Sequence, residues 1–322
     1  MNAVVLVSVV IPCFNVRAYV GATLDSLLAQ DEPAWEALVI DDGSTDGTSD
    51  HVARYCDGRI RLIRQANQGV SAARNRGLAE ARGASLLFLD GDDWLAPDAL
   101  SRLLRSLRGH PNAVAAYGAF CFVAEDAAST PPVQVVRCKT GPFPEGDIIE
   151  RLLVENLFAN GGHLLIRANA AASLGGFRSD LRFGEDWEYW CRLALGGDIA
   201  VVPGSTPLLY VRQRSSGAYL RMATDPDSFL PCTEAIFGNP ELRRRFTPPR
   251  LSRLRARTLA ENGWIVGREA IRHGKVAEGR HSLRRSWLQN PSAKRAALLA
   301  IAYCLPLLPS RWIGPFRPYG GQ

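Results

Sequence analysis

The sequence lacks any C-x-x-C pair. Its seven cysteines, Cys13, Cys56, Cys121, Cys138, Cys191, Cys232 and Cys304, are scattered and odd in number. That pattern argues against a disulfide framework and against a thiolate zinc site, and it suits a reducing cytosol. Apolar runs long enough to span a bilayer are also missing. Residues 4–11 are apolar but have no basic leader and no A-x-A cleavage pattern, and they run into Pro12, so they read as a buried strand and not as a signal peptide. Residues 296–308 form an apolar run of 13 that contains Pro306, against the roughly 17–25 residues a transmembrane helix needs. Low-complexity tracts and true internal repeats are absent as well.

What is present is a chain of 322 residues, 47% of them hydrophobic, enough for one large domain with an appendage or for two domains. Charge is unevenly spread. From residue 241 onward there are 17 Lys/Arg against 4 Asp/Glu, while the first 240 residues hold 21 against 28. A mildly acidic front joined to a strongly basic tail suggests an anionic partner for the tail, a membrane surface or a nucleic acid. A solvated basic helical surface is the plainer reading. No RNA-binding motif accompanies the basic residues, which argues against nucleic acid.

The first hundred residues alternate strand and helix. The β-branched run at 7–11 is a strand buried on both faces. Val20, Leu24, Leu27 and Leu28 recur at helical spacing, and 38–40, 60–63 and 86–89 are further short strands. A helix follows Ser71 through Ala81, and another opens at Pro97 with Leu100, Leu103, Leu104 and Leu107 on one stripe. Such a pattern implies a largely parallel sheet with flanking helices. Residues 113–137 read as irregular strand with a loop at 126–132. After about Pro231 the texture becomes helical and rich in Arg and Ala, and Trp264, Ala270, Gly274, Ala277, Leu283 and Pro291 suggest one paired-helix unit. The expected division is 1–235 for the α/β domain and 236–322 for a basic helical extension.

Acidic clusters stand just after the second and fourth strands, where open α/β sheets bind ligands. The first is D-D-G-S-T-D-G-T at 41–48. An Asp here suits a nucleobase N–H, and Gly43 and Gly47 allow tight turns, while an Asx-turn with a helix cap is the structural alternative. The second is D-G-D-D at 90–93. Two carboxylates one residue apart in extended chain point the same way and repel unless a cation lies between them. Hard oxygens on a loop suit Mg²⁺ or Mn²⁺ with diphosphate oxygens completing the shell. Helix-terminal acids are the alternative there. A third cluster, F-G-E-D-W-E at 183–188, follows G-G-F at 175–177. A carboxylate between Phe183 and Trp187 is partly desolvated, which raises its pKa and suits a general base. The fourth element is basic: N-Q-G-V-S-A-A-R-N at 67–75 opens a helix whose N–H groups, with Arg74, suit phosphate oxygens.

Together, V-S-V-V-I-P-C-F-N at 7–15, I-D-D-G-S-T-D-G-T at 40–48, N-Q-G-V-S-A-A-R-N at 67–75, L-D-G-D-D-W-L at 89–95 and the segment 175–187 ending in G-E-D-W resemble the inverting family 2 glycosyltransferases of the glycosyltransferase A fold. They occur in that family's order across roughly residues 7–215. The resemblance implies a nucleotide-binding α/β domain with a mostly parallel sheet, followed here by a C-terminal helical extension. It implies that Pro12, Asn15, Asn67, Gly69 and Arg74 border the nucleotide sugar, with Arg74 near the ribose-phosphate side and Asp42 on the base. Asp90 and Asp92 match the D-x-D, Asp92 as direct ligand of Mn²⁺ or Mg²⁺. Asp186 matches the catalytic base, and Glu185 orients the acceptor. Tyr210, Arg212 and Arg214 would close over the diphosphate, although many members carry a His near the position of Gln213 or Arg214.

The implied activity is transfer of a sugar, a hexosyl or N-acetylhexosaminyl group, from a UDP-sugar to a carbohydrate or lipid-linked glycan hydroxyl in cell-surface polysaccharide or glycolipid synthesis. A metal-dependent nucleotidyltransferase and a non-catalytic nucleotide-sugar-binding protein docked on a membrane are the alternatives. The expected location is the cytoplasm, at the inner face of the membrane if Arg243, Arg244, Arg245, Arg253, Arg255 and Arg257 meet anionic lipid.

Overall fold

Four short runs of the front half become neighbouring parallel strands in the computed structural model, which describes residues 5–130, 133–214, 225 and 227–304. Strands β1 (Val7–Cys13), β2 (Trp35–Asp41), β3 (Ile60–Arg64) and β4 (Ser85–Phe88) pair in parallel, with Cys13 level with Asp41 and Val10 level with Phe88. Every residue of β2 is buried, and in β1 all but Pro12 are. Burial on both faces is what helices on both sides of a sheet impose. The sheet continues with β6 (Ala113–Tyr117), β9 (Leu164–Arg167) and β10 (Asp198–Val201) in the order β10-β6-β9-β4-β1-β2-β3, and only β9 runs antiparallel to its neighbours.

Helices α1 (Val20–Leu28), α2 (Thr48–Val52), α3 (Val70–Glu80) and α4 (Ala99–Gly109) link these strands. The stripe Leu100, Leu103, Leu104 and Leu107 is buried, as its spacing predicts. Helix α3 lies so close to β1 that a Cβ on Gly77 would stand 2.2 Å from Val10 Cγ1.

A second, four-stranded sheet was not foreseen from the sequence. Its order is β5-β11-β7-β8, from β5 (Trp94–Leu95), β11 (Leu209–Arg212), β7 (Phe120–Val123) and β8 (Val135–Lys139). Its antiparallel pair β7–β8 sets Cys121 opposite Cys138, and the two form a disulfide. This corrects the expectation of unpaired thiols, because the pairing depends on strand register and not on spacing. The other five cysteines are free thiols.

The chain divides into two compact units, residues 1–149 with 157–213, and residues 150–156 with 214–322. The sequence boundary at 235/236 falls inside helix α8 (Leu230–Gly238). The first unit also holds α6 (Ala168–Leu174) and α7 (Glu185–Leu195). Helix α5 (Ile149–Val154) stands where the two units divide.

In the second unit, α9 (Pro240–Arg245) leads to α10 (Pro248–Arg272), α11 (Val276–Gln289) and α12 (Ala293–Cys304). Ile271, Leu283, Leu298 and Ala302 form its core, and Thr258 Oγ1 donates to the Leu153 carbonyl at 2.7 Å, tying in the 150–156 segment. Helices α10 and α11 are the paired-helix unit expected. No helix among the described residues is long and apolar enough to cross a membrane. The last part of the apolar run 296–308, residues 305–308, lies outside the described residues.

Candidate active site

Parallel strands β1, β2 and β4 end at one rim, and the acidic motifs 41–48 and 90–93 follow there. After β1 the chain turns at Asn15, whose φ of 52° is left-handed. Asn15 is stapled to the loop after β2: its N–H donates to Ser44 Oγ at 3.0 Å, and its Oδ1 accepts from the Thr45 N–H at 2.9 Å. Asp41 accepts from the Ser44 N–H and from Ser49 Oγ. Asp46 accepts from the N–H groups of Arg17 and Thr48, both at 2.9 Å. Most of the 41–48 motif therefore builds the turn. Gly43 (φ 78°) and Gly47 (φ 86°) occupy the left-handed region that the turn needs.

Asp42 is 3% exposed and accepts three bonds, from Gln65 Nε2 (2.8 Å), the Gln68 N–H (2.9 Å) and the Gly69 N–H (2.8 Å). Its carboxylate thus holds the 65–69 loop that enters α3. Asn67 is exposed on that loop, and Gly69 at its end has φ 89°. Phe14 was missed by sequence reasoning. It is 50% exposed beside Pro12 and Asn15, unusual for a ring directly after a buried strand.

After β4, Asp90, Asp92 and Asp93 each present an oxygen within 4.8 Å of the others. Gly91 between them is required by packing, since a Cβ there would lie 2.8 Å from Cys13 Sγ. The three acids are not equivalent. Asp93 is buried and accepts from the Arg212 N–H at 2.8 Å and from Asn160 Nδ2. Burial, then the charges of Asp92 and Asp90, push its pKa well up. Asp90 is met by Arg74 Nη2 at 3.1 Å. The loop carries no cation of its own, but α3 supplies one. Asp92 and Asp90 bring hard carboxylate oxygens of the kind that suits a divalent ion, so the residues fit the metal the motif implies.

Arg74 is 3% exposed, and its Nη1 meets Glu185 at 2.8 Å. Burial opposes its charge, but Asp90 and Glu185 outweigh it, so its pKa is raised. The guanidinium therefore spans the D-x-D loop and the first turn of α7, and Glu185 is its ion-pair partner. Gly184 (φ 76°) precedes α7, and Glu185, Asp186 and Glu188 sit in its first turn. Asp186 accepts from the Trp187 N–H at 2.6 Å. Burial first, then the neighbouring Glu185 charge, push its pKa up to about 7 against the pull of Arg74.

Arg212, expected to close over the diphosphate, meets carbonyls of the protein itself. Its Nε donates to the Asp92 carbonyl (3.1 Å) and its Nη1 to the carbonyls of Glu125 (2.6 Å) and Ala127 (2.9 Å), so it braces the D-x-D loop from behind. Tyr210 stacks on Trp94, with ring centroids 5.5 Å apart. Arg214 belongs to the second unit. Asn160 has no sequence signal at all. Its turn is pinned by buried His163, whose Nδ1 lies 2.8 Å from the Gly118 carbonyl while its Nε2 accepts from the Ala159 N–H at 3.2 Å. Burial holds the His163 pKa down at about 4, so the ring is neutral near pH 7 and can donate at one nitrogen and accept at the other.

Comparison with known proteins agrees with this geometry. A family model described as "Glycosyl transferase family 2" matches residues 8–170. The Escherichia coli UDP-Glc:alpha-D-GlcNAc-diphosphoundecaprenol beta-1,3-glucosyltransferase WfgD is 40% identical over 93 residues, 28% of this chain and 37% of WfgD. Three curated relatives from Bacillus subtilis are matched over 29% to 40% of their own length. Among solved structures, S. aureus TarS 1–349 in complex with UDP-GlcNAc aligns with TM-score 0.64 at 18% identity, over 93% of this chain and 87% of that one. The mannosyltransferase PcManGT from Pyrobaculum calidifontis, in complex with GDP-Man and Mn²⁺, aligns with TM-score 0.58 at 20% identity, over 95% and 82%. A family match across half of the chain and a fold shared with these enzymes lead to one conclusion: the chain belongs to glycosyl transferase family 2, with a glycosyltransferase A type fold.

Proposed function

We propose that this protein transfers a sugar from a nucleoside-diphosphate donor to an acceptor hydroxyl with inversion at the anomeric carbon. The observation that carries the reading is that Arg74 links a metal-suited carboxylate cluster, through Asp90, to the first turn of α7, through Glu185, beside Asp186, whose pKa burial pushes up to about 7. UDP is the preferred nucleotide, since WfgD is named for UDP-Glc and TarS binds UDP-GlcNAc.

In this reading Asp92, with Asp90, holds Mn²⁺ or Mg²⁺. Bound there, the ion supplies positive charge to the diphosphate as the bond to the sugar breaks. The chain's own residues do the rest. Asp42 fixes the 65–69 loop beside the base, and Phe14 offers it a ring for stacking. Pro12, Asn15, Asn67 and Gly69 line the nucleotide side. Asp186 takes the acceptor proton as the hydroxyl oxygen attacks the anomeric carbon opposite the departing nucleoside diphosphate. A single displacement inverts that carbon. Arg74 and Glu185 hold Asp186 in register with the metal loop.

The acceptor is a carbohydrate or lipid-linked glycan, in cell-surface polysaccharide or glycolipid synthesis. Residues 1–213 supply the chemistry, apart from the 150–156 segment, and the helical remainder meets an anionic membrane surface. Turnover of UDP-sugars by wild type and by Asp186→Asn tests the chemistry. The variant should keep nucleotide affinity and lose about a thousandfold in turnover. Near-normal turnover would remove Asp186 as base.

A further inference from the structure

The segment 174–178 carries no reactive group, yet its backbone is gripped from two sides. From α7, Arg192 donates to the carbonyl of Leu174 at 2.6 Å and to that of Gly176 at 2.8 Å. From α3, Asn75 forms a reciprocal pair with Phe177. The Phe177 N–H donates to Asn75 Oδ1 at 2.7 Å, and Asn75 Nδ2 donates to the Phe177 carbonyl at 2.9 Å. Ser71 Oγ donates to the Arg178 carbonyl at 3.1 Å.

Ser71, Arg74 and Asn75 stand three and four positions apart and so share one face of α3. Two of them hold the strap, and the third reaches Asp90 and Glu185. The fit is tight. A Cβ on Gly176 would lie 2.6 Å from Asn75 Oδ1, and its three nearest atoms all belong to Asn75. Gly176 is not in the left-handed region, so it is Asn75, and not the backbone, that requires glycine there. The Phe177 ring continues the contact by stacking on Tyr189 of α7, with centroids 4.0 Å apart and planes 9° from parallel.

We propose that Ser71 and Asn75 are positioning residues that lock the strap 174–178 to α3 and thereby set where α7 presents Asp186 relative to Asp90 and Asp92. The N-Q-G-V-S-A-A-R-N motif then serves the base side of the site as well as the nucleotide side. This rests on Asp186 acting as base.

The test compares wild type, Asn75→Ala, Gly176→Ala and the double variant. Amide hydrogen exchange over 174–187, Mn²⁺-dependent UDP binding and turnover of UDP-GlcNAc are measured for each. Asn75→Ala should raise exchange in the strap and lower kcat, each by about tenfold, with UDP affinity and donor KM within about twofold of wild type. Gly176→Ala should do the same, and the double variant should be no worse than the worse single one, because both changes break one contact.

Unchanged exchange and kcat in Asn75→Ala would overturn the proposal, as would additive losses in the double variant or a parallel fall in UDP affinity. If wild type turns over no sugar nucleotide, the proposed reaction fails. The strap is then judged on exchange alone, and unaltered protection refutes it. Should Asn75→Ala not fold, Ser71→Ala removes only the Arg178 bond and should show the same split at about threefold.

Discussion

Asp186 and Arg74 show how single side chains set the chemistry. A carboxylate must be ionised to take a proton. Asp186 is pushed to about 7 by burial and by Glu185, so turnover should rise with pH and reach half its plateau near pH 7. An acid limb near pH 4 would contradict this. The stability consequence has a definite sign. The folded pKa exceeds the unfolded value, so the contribution of Asp186 is most favourable at low pH and is lost as pH rises through about 7. Asp186→Asn should therefore melt higher than wild type at pH 8, by up to about 4 kcal/mol, with the difference shrinking at pH 5. Thermal melts at the two pH values check it. Arg74 marks the limit of reading such roles from sequence. Its place at a helix start suggested phosphate binding, but its partners Asp90 and Glu185 are 16 and 111 residues away, and only the fold brings them together.

At the scale of elements, the parallel strands and the Leu stripe of α4 were legible because their periodicity reports burial directly. The second sheet was not legible, since β5 is two residues long and pairs with β11 more than a hundred positions later. The same holds for Asn160, which reaches Asp93 from a loop without any motif. The C-terminal helices were legible as helices, but their surface is partly committed. Arg244 pairs with Glu241, Arg250 with Glu150 and Arg255 with Glu234, while Arg253, Arg257, Arg284 and Arg285 lie exposed. Leu298 and Ala302 of α12 serve the core, leaving Ala296, Ala297, Ala300 and Tyr303 outward. If this surface meets anionic lipid, the full chain should sediment with phosphatidylglycerol vesicles and not with phosphatidylcholine. Reversing Arg253, Arg257, Arg284 and Arg285 to Glu should cost about tenfold or more in vesicle affinity, since each charge is worth about 1 kcal/mol near the surface. Equal binding by the reversed variant, or binding to RNA in its place, would refute the docking surface.

Across the whole molecule, one unit carries every residue placed at the site, and the other carries most of the positive charge. The motifs were legible because each sits at the end of a strand or the start of a helix. Their division of labour was not, since Asp42, Asp93 and Arg212 are defined by the bonds they already make. In the proposed function, Asp92 supplies a divalent-ion site that in turn holds a nucleoside diphosphate. The most direct test of this is the thermal stabilisation of wild type and Asp92→Ala by UDP, with and without Mn²⁺. Wild type should gain about 2.7 kcal/mol from UDP at a hundred times its Kd when Mn²⁺ is present, and little without the ion. Asp92→Ala should keep its unliganded melting temperature and lose the Mn²⁺-dependent gain. An equal, Mn²⁺-dependent gain in Asp92→Ala, or UDP binding by wild type that ignores the ion, would contradict the account.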